Sequence, residues 1–456
     1  MIIPLYYSKA NPIRWDTYMT RNLNYMDLTA NIATFSIFAL LFIRTGEKYF
    51  NLVWVVFAVF VLIDLVYCWK HKKGYLPHAN VNKIIIISVM LFYGALFIAS
   101  LLNGAKGSIG YTASLAKFTI PMWMLLYING KYNATKGALV GTIFGSIVVS
   151  GVCVYQYLYI TPGRRVIGLF QQPNLMGTVL ETIVPILLYC LLTIKNKLWF
   201  SVDILSLGAA CVALFMTGSR GAIMGLSGGL FIAVVFLLIK YRKNLGRQFM
   251  RKAVILIAIL MIVPGGVGTY MFVTRPVYKN NSSVVINNSI DNTNVEANKR
   301  PNTKKGDGKT INQSDMERIR MMQASYRMWQ DHKLSGIGMA SWKENYYGKY
   351  HPADANPGTD FGMPHNMIMN FLACGGIIGL LGYLVFVFGV GIGIVKAGSG
   401  QLFIITAAVL SIHIAMFVHG MVDQTIISRF CSYPYYGFLG LFLTITGKTG
   451  RFENKE

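Results

Sequence analysis

Acidic residues are scarce in this sequence, and charged residues of both signs are few. The 456 residues include 18 Asp and Glu against 42 Lys and Arg, so 13% of the chain is charged while 54% is hydrophobic. A soluble domain typically carries about 25% charged residues, so this composition argues against a soluble protein. The formal net charge of +24 does not indicate nucleic-acid binding, because Lys and Arg gather in short loops between apolar runs, as in membrane proteins.

Metal-binding motifs and a secretion signal are also missing. All six cysteines fall in or beside apolar runs, and no pair has metal-ligand spacing. We therefore expect core cysteines, no metal site and no cofactor. The first 20 residues lack the apolar core of a cleavable signal peptide. No internal repeat divides the chain into similar halves, which argues against a transporter built by duplication.

Long apolar runs are the main feature that is present, and each is close to the roughly 20 residues that a membrane-spanning helix needs. Twelve spans are predicted, at 27–43, 49–69, 83–102, 111–129, 137–160, 174–194, 198–217, 221–240, 253–273, 366–395, 401–421 and 430–447. The predicted fold is an all-α polytopic membrane protein with about 12 transmembrane helices. Residues 1–273 would form an N-terminal membrane bundle of about nine helices, 365–447 a C-terminal bundle of about three, and 448–456 a cytoplasmic tail.

The short basic loops predict the orientation of these spans. Six Lys and Arg residues lie in the loop between spans eight and nine, and the other basic loops follow at alternate connections. Because positively charged loops stay in the cytoplasm, we expect both chain termini there. The loop 161–173, the turn before Arg220 and the long segment 274–364 would then be extracytoplasmic.

The long segment 274–364, a large loop before the tenth helix, has two parts. Residues 279–313 are rich in Asn, Lys and Gly and nearly lack aromatic residues, a composition typical of disordered segments. Residues 314–361 are predicted to form a partly helical, folded cap, because they contain an apolar stripe at helical spacing. The stripe consists of Met321, Met322, Ser325, Met328 and Trp329.

His365 marks the point where this loop enters the next apolar span. Pro364 suits the first turn of a helix, which would place His365 in that turn, at the boundary with water. Gly376 lies 11 residues on, about three turns, and therefore on the same face of a continuous helix. Gly376 and Gly379 would let another helix approach that face. A boundary histidine is often a plain interfacial residue, although an imidazole on a rigid helix end also suits proton transfer.

Arginines are prominent on the predicted outer side. Several lie at outer ends of spans or on the cap, namely Arg165, Arg220, Arg318 and Arg320. Arg165 precedes Pro173 and Asn174, which open span six. A single arginine of this kind could snorkel to the interface or belong to a solvated face. Several together indicate a site for an anionic ligand, because the planar guanidinium fork matches phosphate oxygens.

The few acidic residues offer little support for a divalent-cation site. Those within or beside spans are Asp64, Glu181, Asp203 and Asp423, and no Asp-x-Asp pair occurs in an outer loop. Glu181 could line the site, or it could be a buried acid bonded to a neighbouring helix. His413 and His419 lie in span 11; they could be pathway residues, and we favour the interpretation that they are helix-packing residues.

Three patterns in the chain match a known family. His365 and Asn366 are followed by nine residues and then by Gly376-x-x-Gly379. Arg220 is followed four residues on by Met224, where the family pattern has Leu. Arg318 is followed by 17 residues and then by Gly-Ile-Gly, although Lys333 stands where a proline is common. Arg165-x-x-Gly168 with Pro173-Asn174 is similar to an earlier outer-loop feature of the same family. Together these features, over roughly residues 165–385, resemble the bacterial O-antigen ligase family.

The resemblance implies a multi-pass glycosyltransferase of the bacterial cytoplasmic (inner) membrane. The donor would be an undecaprenyl-diphosphate-linked glycan, the acceptor a lipid- or glycan-linked molecule, and the surroundings membrane lipid, with no nucleic acid. Family members include ligases that attach O-antigen to lipid A–core, O-antigen polymerases and enzymes that glycosylate proteins. The His motif favours a ligase, a polymerase is the close alternative, and a lipid-linked oligosaccharide transporter is the rival outside enzymes.

The resemblance also implies roles for individual residues. His365 would be the catalytic base, kept neutral by the helix N-terminus. Donor binding through the diphosphate would use Arg165, Arg220, Arg318 and Arg320. Supporting residues would be Pro173, Asn174, Glu181, Asn366, Gly376 and Gly379. The arginines would replace a metal ion, and the transfer would invert the anomeric centre.

Overall fold

A computed structural model describes residues 24–43, 47–77, 81–241, 313–352, 362–398 and 402–453. The predicted ninth span at 253–273 and the Asn-rich residues up to 312 lie outside these ranges.

All regular structure in the described ranges is helical. The helices are α1 (Tyr25–Phe42), α2 (Glu47–His71), α3 (Lys83–Asn103), α4 (Ser108–Ala116), α5 (Ile120–Lys131), α6 (Thr135–Tyr155), α7 (Pro173–Thr193), α8 (Lys197–Thr217), α9 (Arg220–Tyr241), α10 (Gln313–Asp331), α11 (Trp342–Asn345), α12 (Met367–Ala397), α13 (Phe403–Gly420) and α14 (Arg429–Glu453). A 3₁₀ turn joins α4 to α5, and π-helical turns follow α6 and α11.

Within this part of the chain, nine helices are long and apolar enough to cross a membrane. They are α1, α2, α3, α6, α7, α8, α9, α12 and α13. The all-helical, multi-pass fold class is thereby confirmed, while the count of 12 stays a prediction. The predicted fourth span at 111–129 is not one helix. It is divided between α4 and α5 because Pro121, which has no N–H, stands in the first turn of α5.

Helices α7 and α13 form the centre of the bundle. In each, 83% of the apolar stretch is buried, against 22% in α2 and 28% in α8. Helix α9 packs on α13 through small residues at four-residue spacing, Gly221, Gly225 and Gly229. A Cβ atom at Gly225 would lie 2.8 Å from the Ala415 carbonyl oxygen. Glycines at this spacing let two helix backbones approach closely. They hold the first turns of α9, which begins with Arg220, against α13.

The cap helix α10 packs on α12. Its apolar stripe buries Met321, Ser325 and Met328, whereas Met322 and Trp329 are partly exposed. The Ser325 hydroxyl accepts a hydrogen bond of 2.9 Å from the Trp342 indole N–H. The hydrogen bond connects α10 to α11 within the cap, and the packing on α12 connects the cap to the membrane helix that follows it.

Helix α12 is broken at Gly376, which has φ 61° and ψ −157°. The peptide groups on both sides of the break pair with the loop 333–338 instead of with each other. Four backbone hydrogen bonds are formed, from Ile337 N–H to Ala373 (2.9 Å), Gly338 N–H to Cys374 (3.0 Å), Ile377 N–H to Lys333 (2.9 Å) and Ile378 N–H to Leu334 (3.3 Å). An interrupted helix in a membrane protein needs such partners, because no water is present to satisfy the freed groups.

The predicted role of Gly376 in a continuous helix is therefore wrong. The break removes the helical register that would put Gly376 on one face with His365. The space beside Gly376 is filled by the backbone of Leu334 and Ser335, a loop rather than a helix. Gly379 does lie near α3, since an added Cβ would be 3.6 Å from the Leu96 side chain.

We predict that Gly376→Ala destabilises the protein much more than Gly375→Ala. The φ and ψ angles at Gly376 are accessible essentially to glycine alone, at a cost of roughly 1–3 kcal/mol for other residues. An added Cβ would also meet the Leu334–Ser335 backbone. At Gly375 the nearest atoms to an added Cβ are 3.8 Å away.

Thermal denaturation of the purified variants in detergent measures this difference. Equal melting temperatures for Gly376→Ala and Gly375→Ala would show that the break does not depend on Gly376.

Candidate active site

His365 lies just before α12 and not in its first turn. Asn366 is the N-cap, and its side-chain oxygen accepts a hydrogen bond of 3.0 Å from the Met369 N–H. Asparagine is among the best N-cap residues, so the helix begins at Met367, three residues after Pro364. His365 has a left-handed φ of 50°, which turns the chain into the cap. The prediction that places His365 in the first helical turn is wrong.

Asn366 also ties this turn to the end of α13. Its side-chain N–H donates to the Met421 carbonyl oxygen at 2.8 Å. Through this bond, the segment that carries His365 is held against the turn that carries Asp423.

Asp423 is the direct partner of His365. Its Oδ1 lies 2.8 Å from His365 Nδ1 and also accepts the Gln424 N–H at 2.8 Å. Only 4% of the Asp423 side chain is exposed, against 22% of the His365 side chain. Burial raises the pKa of the Asp423 carboxyl, but the hydrogen bond from His365, the charges of His365 and His419 and the Gln424 N–H outweigh burial and lower this pKa to about 2. Asp423 is therefore ionised at neutral pH.

The ionised Asp423 carboxylate determines which nitrogen of His365 donates a hydrogen bond to it. Asp423 can only accept hydrogen bonds, so His365 Nδ1 must donate to it. In the neutral ring, Nε2 then carries the lone pair, as in a histidine base oriented by an aspartate. Asp423 thus replaces the helix N-terminus as the group that orients the ring.

Asn174 and Arg165 extend the network from the other side. Pro173 is the first residue of α7, and Asn174 after it donates a hydrogen bond from Nδ2 to Asp423 Oδ2. Arg165 Nη2 donates to Asn174 Oδ1 at 2.6 Å, and Arg165 Nε donates to the Thr217 carbonyl oxygen at 2.8 Å. The start of α7, the end of α8 and the turn after α13 therefore meet at one site.

Arg220 lies at the same end of the bundle. Helix α8 ends at Thr217 and is capped by Gly218, which has a left-handed φ of 58°, and α9 begins two residues after Gly218 with Arg220. The next residue, Gly221, packs on the neighbour of Asp423, because an added Cβ would be 2.9 Å from the Val422 side chain. Arg220 itself is exposed, as a contact for an external anion requires.

The two arginines of α10 have different surroundings. Arg320 Nη1 forms a 2.7 Å ion pair with Glu317, whose side chain is only 6% exposed. Arg318 is partly exposed and lies within electrostatic reach of His419. Arg318 therefore lies near the histidine site, whereas much of the Arg320 charge is balanced inside the cap.

Glu181 is fully buried beneath this site. Its two carboxylate oxygens each lie 3.1 Å from His419 Nδ1. Glu181 is therefore bonded to a neighbouring helix, which is one of the two interpretations left open by the sequence.

Asp423 and His419 are the residues that the sequence patterns miss. Both lie outside the family motifs, and Asp423 follows α13 in a turn with no distinctive spacing. The available signal is the scarcity of acidic residues, because an acid at the edge of a span needs a partner. Among the described residues, no three His, Cys, Asp or Glu side chains cluster in a way that could hold a metal ion.

Comparison with known protein families gives a match to a range of the chain that includes part of this site. Residues 205–384, from α8 to the second half of α12, match the family model described as O-antigen ligase. No curated protein matches the chain. The matched range contains Arg220, Arg318 and His365, while Arg165, Asn174 and Asp423 lie outside it. The match places an O-antigen ligase domain at these residues, and it supports a ligase-like or polymerase-like function.

Proposed function

We propose that this protein transfers a glycan from undecaprenyl diphosphate to a hydroxyl group of a lipid A–core or related acceptor. The reaction would take place at the extracytoplasmic face of the bacterial cytoplasmic membrane. The observation that carries the proposal is the His365–Asp423 pair at the end of the bundle where Arg220 begins α9. A base beside arginines is what transfer from a diphosphate to an alcohol requires.

His365 acts as the general base in this proposal. The acceptor oxygen attacks C1 of the first donor sugar, and its proton moves to His365 Nε2. Asp423 orients the ring through Nδ1 and stabilises the imidazolium that forms. Attack from the side opposite to the diphosphate inverts the anomeric centre.

The arginines stabilise the leaving group. As the C1–O bond breaks, undecaprenyl diphosphate takes up the bonding electrons and its negative charge grows. We assign the principal contacts to Arg220 and Arg318. Arg165 and Arg320 hold contacts within the protein, and we assign them mainly to placing Asn174 and the cap.

Transfer is expected to be independent of divalent cations. In the proposed reaction, guanidinium groups balance the charge that a metal ion would otherwise balance. Purified protein should therefore retain its transfer rate in excess chelator. Loss of activity that magnesium or manganese restores would mean that the role of the arginines is misassigned.

Glycan analysis of a strain that lacks this protein tests the proposed function and separates it from its relatives. If the protein is a ligase, the deletion strain should accumulate full-length undecaprenyl-linked polymer and a bare acceptor. If the protein is a polymerase, the deletion strain should carry single repeat units on the acceptor. Lipid-linked glycan that accumulates only on the cytoplasmic side would instead indicate a transporter.

The proposed orientation predicts cytoplasmic Lys243 and extracytoplasmic Asn298. Single cysteines at these positions can be labelled in whole cells with a membrane-impermeant reagent. The native cysteines are buried or partly buried, so background labelling should be low. We expect labelling at 298 and protection at 243. The reverse result would put the candidate site on the wrong side of the membrane.

A further inference from the structure

His419 is a second histidine at the site, and it is completely buried. It lies in the last turn of α13 and has 0% of its surface exposed. Its Nδ1 faces both oxygens of Glu181 at 3.1 Å and the Thr178 hydroxyl at 3.2 Å. Glu181 is equally buried. A buried histidine–carboxylate pair therefore joins α13 to α7, next to the turn that carries Asp423.

The other edge of the His419 ring supports the first turn of α9. A Cβ added at Gly221 would lie 2.5 Å from His419 Cδ2 and 2.7 Å from His419 Nε2. A Cβ at Gly225 would lie 2.9 Å from Glu181 Oε2. The backbone that carries Arg220 thus rests directly on the His419–Glu181 pair, with no room for a larger residue at either glycine.

The backbone of His419 also builds the turn that holds Asp423. Its carbonyl oxygen accepts the N–H groups of Val422 and Asp423, each at 3.0 Å. The same residue therefore contacts the helix that presents Arg220 and the turn that presents the partner of His365.

We propose that His419 is a positioning residue, which sets the distance between Arg220 and the His365–Asp423 pair. This inference rests on the proposed glycan transfer, because it assigns those two groups to the leaving group and to the acceptor hydroxyl. His419 does not take the acceptor proton. It keeps Arg220, the proposed diphosphate contact, at a fixed distance from the base His365. Misplacement by about 1 Å at a reacting site can cost about 100-fold in rate.

The chain offers a matched control on the same helix. His413 is also buried in α13, with Nδ1 2.8 Å from the Tyr435 hydroxyl and Nε2 2.7 Å from the Val387 carbonyl oxygen. These partners lie on α14 and α12 and not in the candidate site. His413→Asn therefore removes a comparable buried ring without disturbing the support of Arg220.

The test compares kcat and donor affinity for His419→Asn and His413→Asn in purified, folded protein. The probe is undecaprenyl-diphosphate-linked glycan isolated from a strain that lacks this protein. We expect His419→Asn to lower kcat about 10–100-fold with little change in donor affinity and the same pH profile, because His365 remains the base. His413→Asn should keep the wild-type kcat per folded molecule. Equal kcat losses in both variants, or none in His419→Asn, would overturn the inference.

A second pair of variants keeps the test decisive if His419→Asn does not fold. Gly221→Ala pushes the first turn of α9 away from the His419 ring, whereas a Cβ at Gly228 would have its nearest neighbour at 3.5 Å. Gly221→Ala should lower kcat and Gly228→Ala should not, and identical kcat values would refute the inference. Absence of transfer by the wild-type protein would instead contradict the proposed function itself.

Discussion

His365→Ala and His365→Gln are expected to abolish most glycan transfer while leaving membrane insertion and donor binding nearly intact. The expected loss is about 10²–10⁴-fold, the usual contribution of a general base. His365 precedes the N-cap of α12 and is 22% exposed, so its removal leaves no large cavity. Donor binding should persist because the proposed diphosphate contacts are the arginines and not His365. Transfer and donor binding can be measured in membranes with matched expression of each variant.

Two further variants control this prediction. His332→Ala removes an exposed histidine at the end of α10 and should leave transfer unchanged. Asn366→Ala should have a milder effect than His365→Ala, because it removes an N-cap and the bond to Met421 but keeps the base. Near-normal transfer in both His365 variants would return His365 to the role of an interfacial residue.

Arg220→Ala should weaken donor binding as well as turnover. A diphosphate contact acts in the ground state and in the transition state, and it gains strength as charge develops on the leaving group. Removal of one donor of this kind typically costs about 100–1,000-fold in kcat. Arg220→Lys should recover part of the activity, because it keeps the charge but loses the bidentate fork.

The measurement is KM and kcat for each Arg220 variant with the lipid-linked donor. Arg220 is exposed at the first residue of α9, and kinetic values are compared per folded molecule of each variant. Equal activity in Arg220→Lys and Arg220→Ala would show that charge at this position does not matter. Unchanged donor affinity in Arg220→Ala would contradict the assignment of Arg220 to the diphosphate.

The sequence predicts the helical fold well because hydrophobic length is a strong physical signal. A stretch of about 20 apolar residues has few alternatives to a membrane helix. The exceptions are positions where a single residue or a distant segment of the chain interrupts the helix that the apolar pattern predicts. Pro121 divides one predicted span, and Gly376 breaks another where the loop 333–338 supplies replacement hydrogen bonds. No periodicity in α12 reveals that break, since the partner peptides come from about 40 residues earlier in the chain.

The candidate site was predictable only in part for a related reason. Motif spacing identifies His365 and Arg318 through glycines at fixed distances, and it identifies Arg220 through the apolar residue four positions on. Asp423 and His419 belong to no such pattern, and their importance comes from long-range packing of α7, α9 and α13. Asn366 caps α12, a role that Asn before an apolar run commonly has.

A double-mutant cycle between His365 and Asp423 tests the central claim most directly. Transfer is measured for His365→Ala, Asp423→Ala and the double variant in purified protein with matched donor binding. If Asp423 acts through the His365 ring, each single variant should lose most activity and the double variant should lose no more than His365→Ala. Losses that multiply in the double variant, or near-normal transfer by Asp423→Ala, would contradict the proposal that the two residues form one catalytic base.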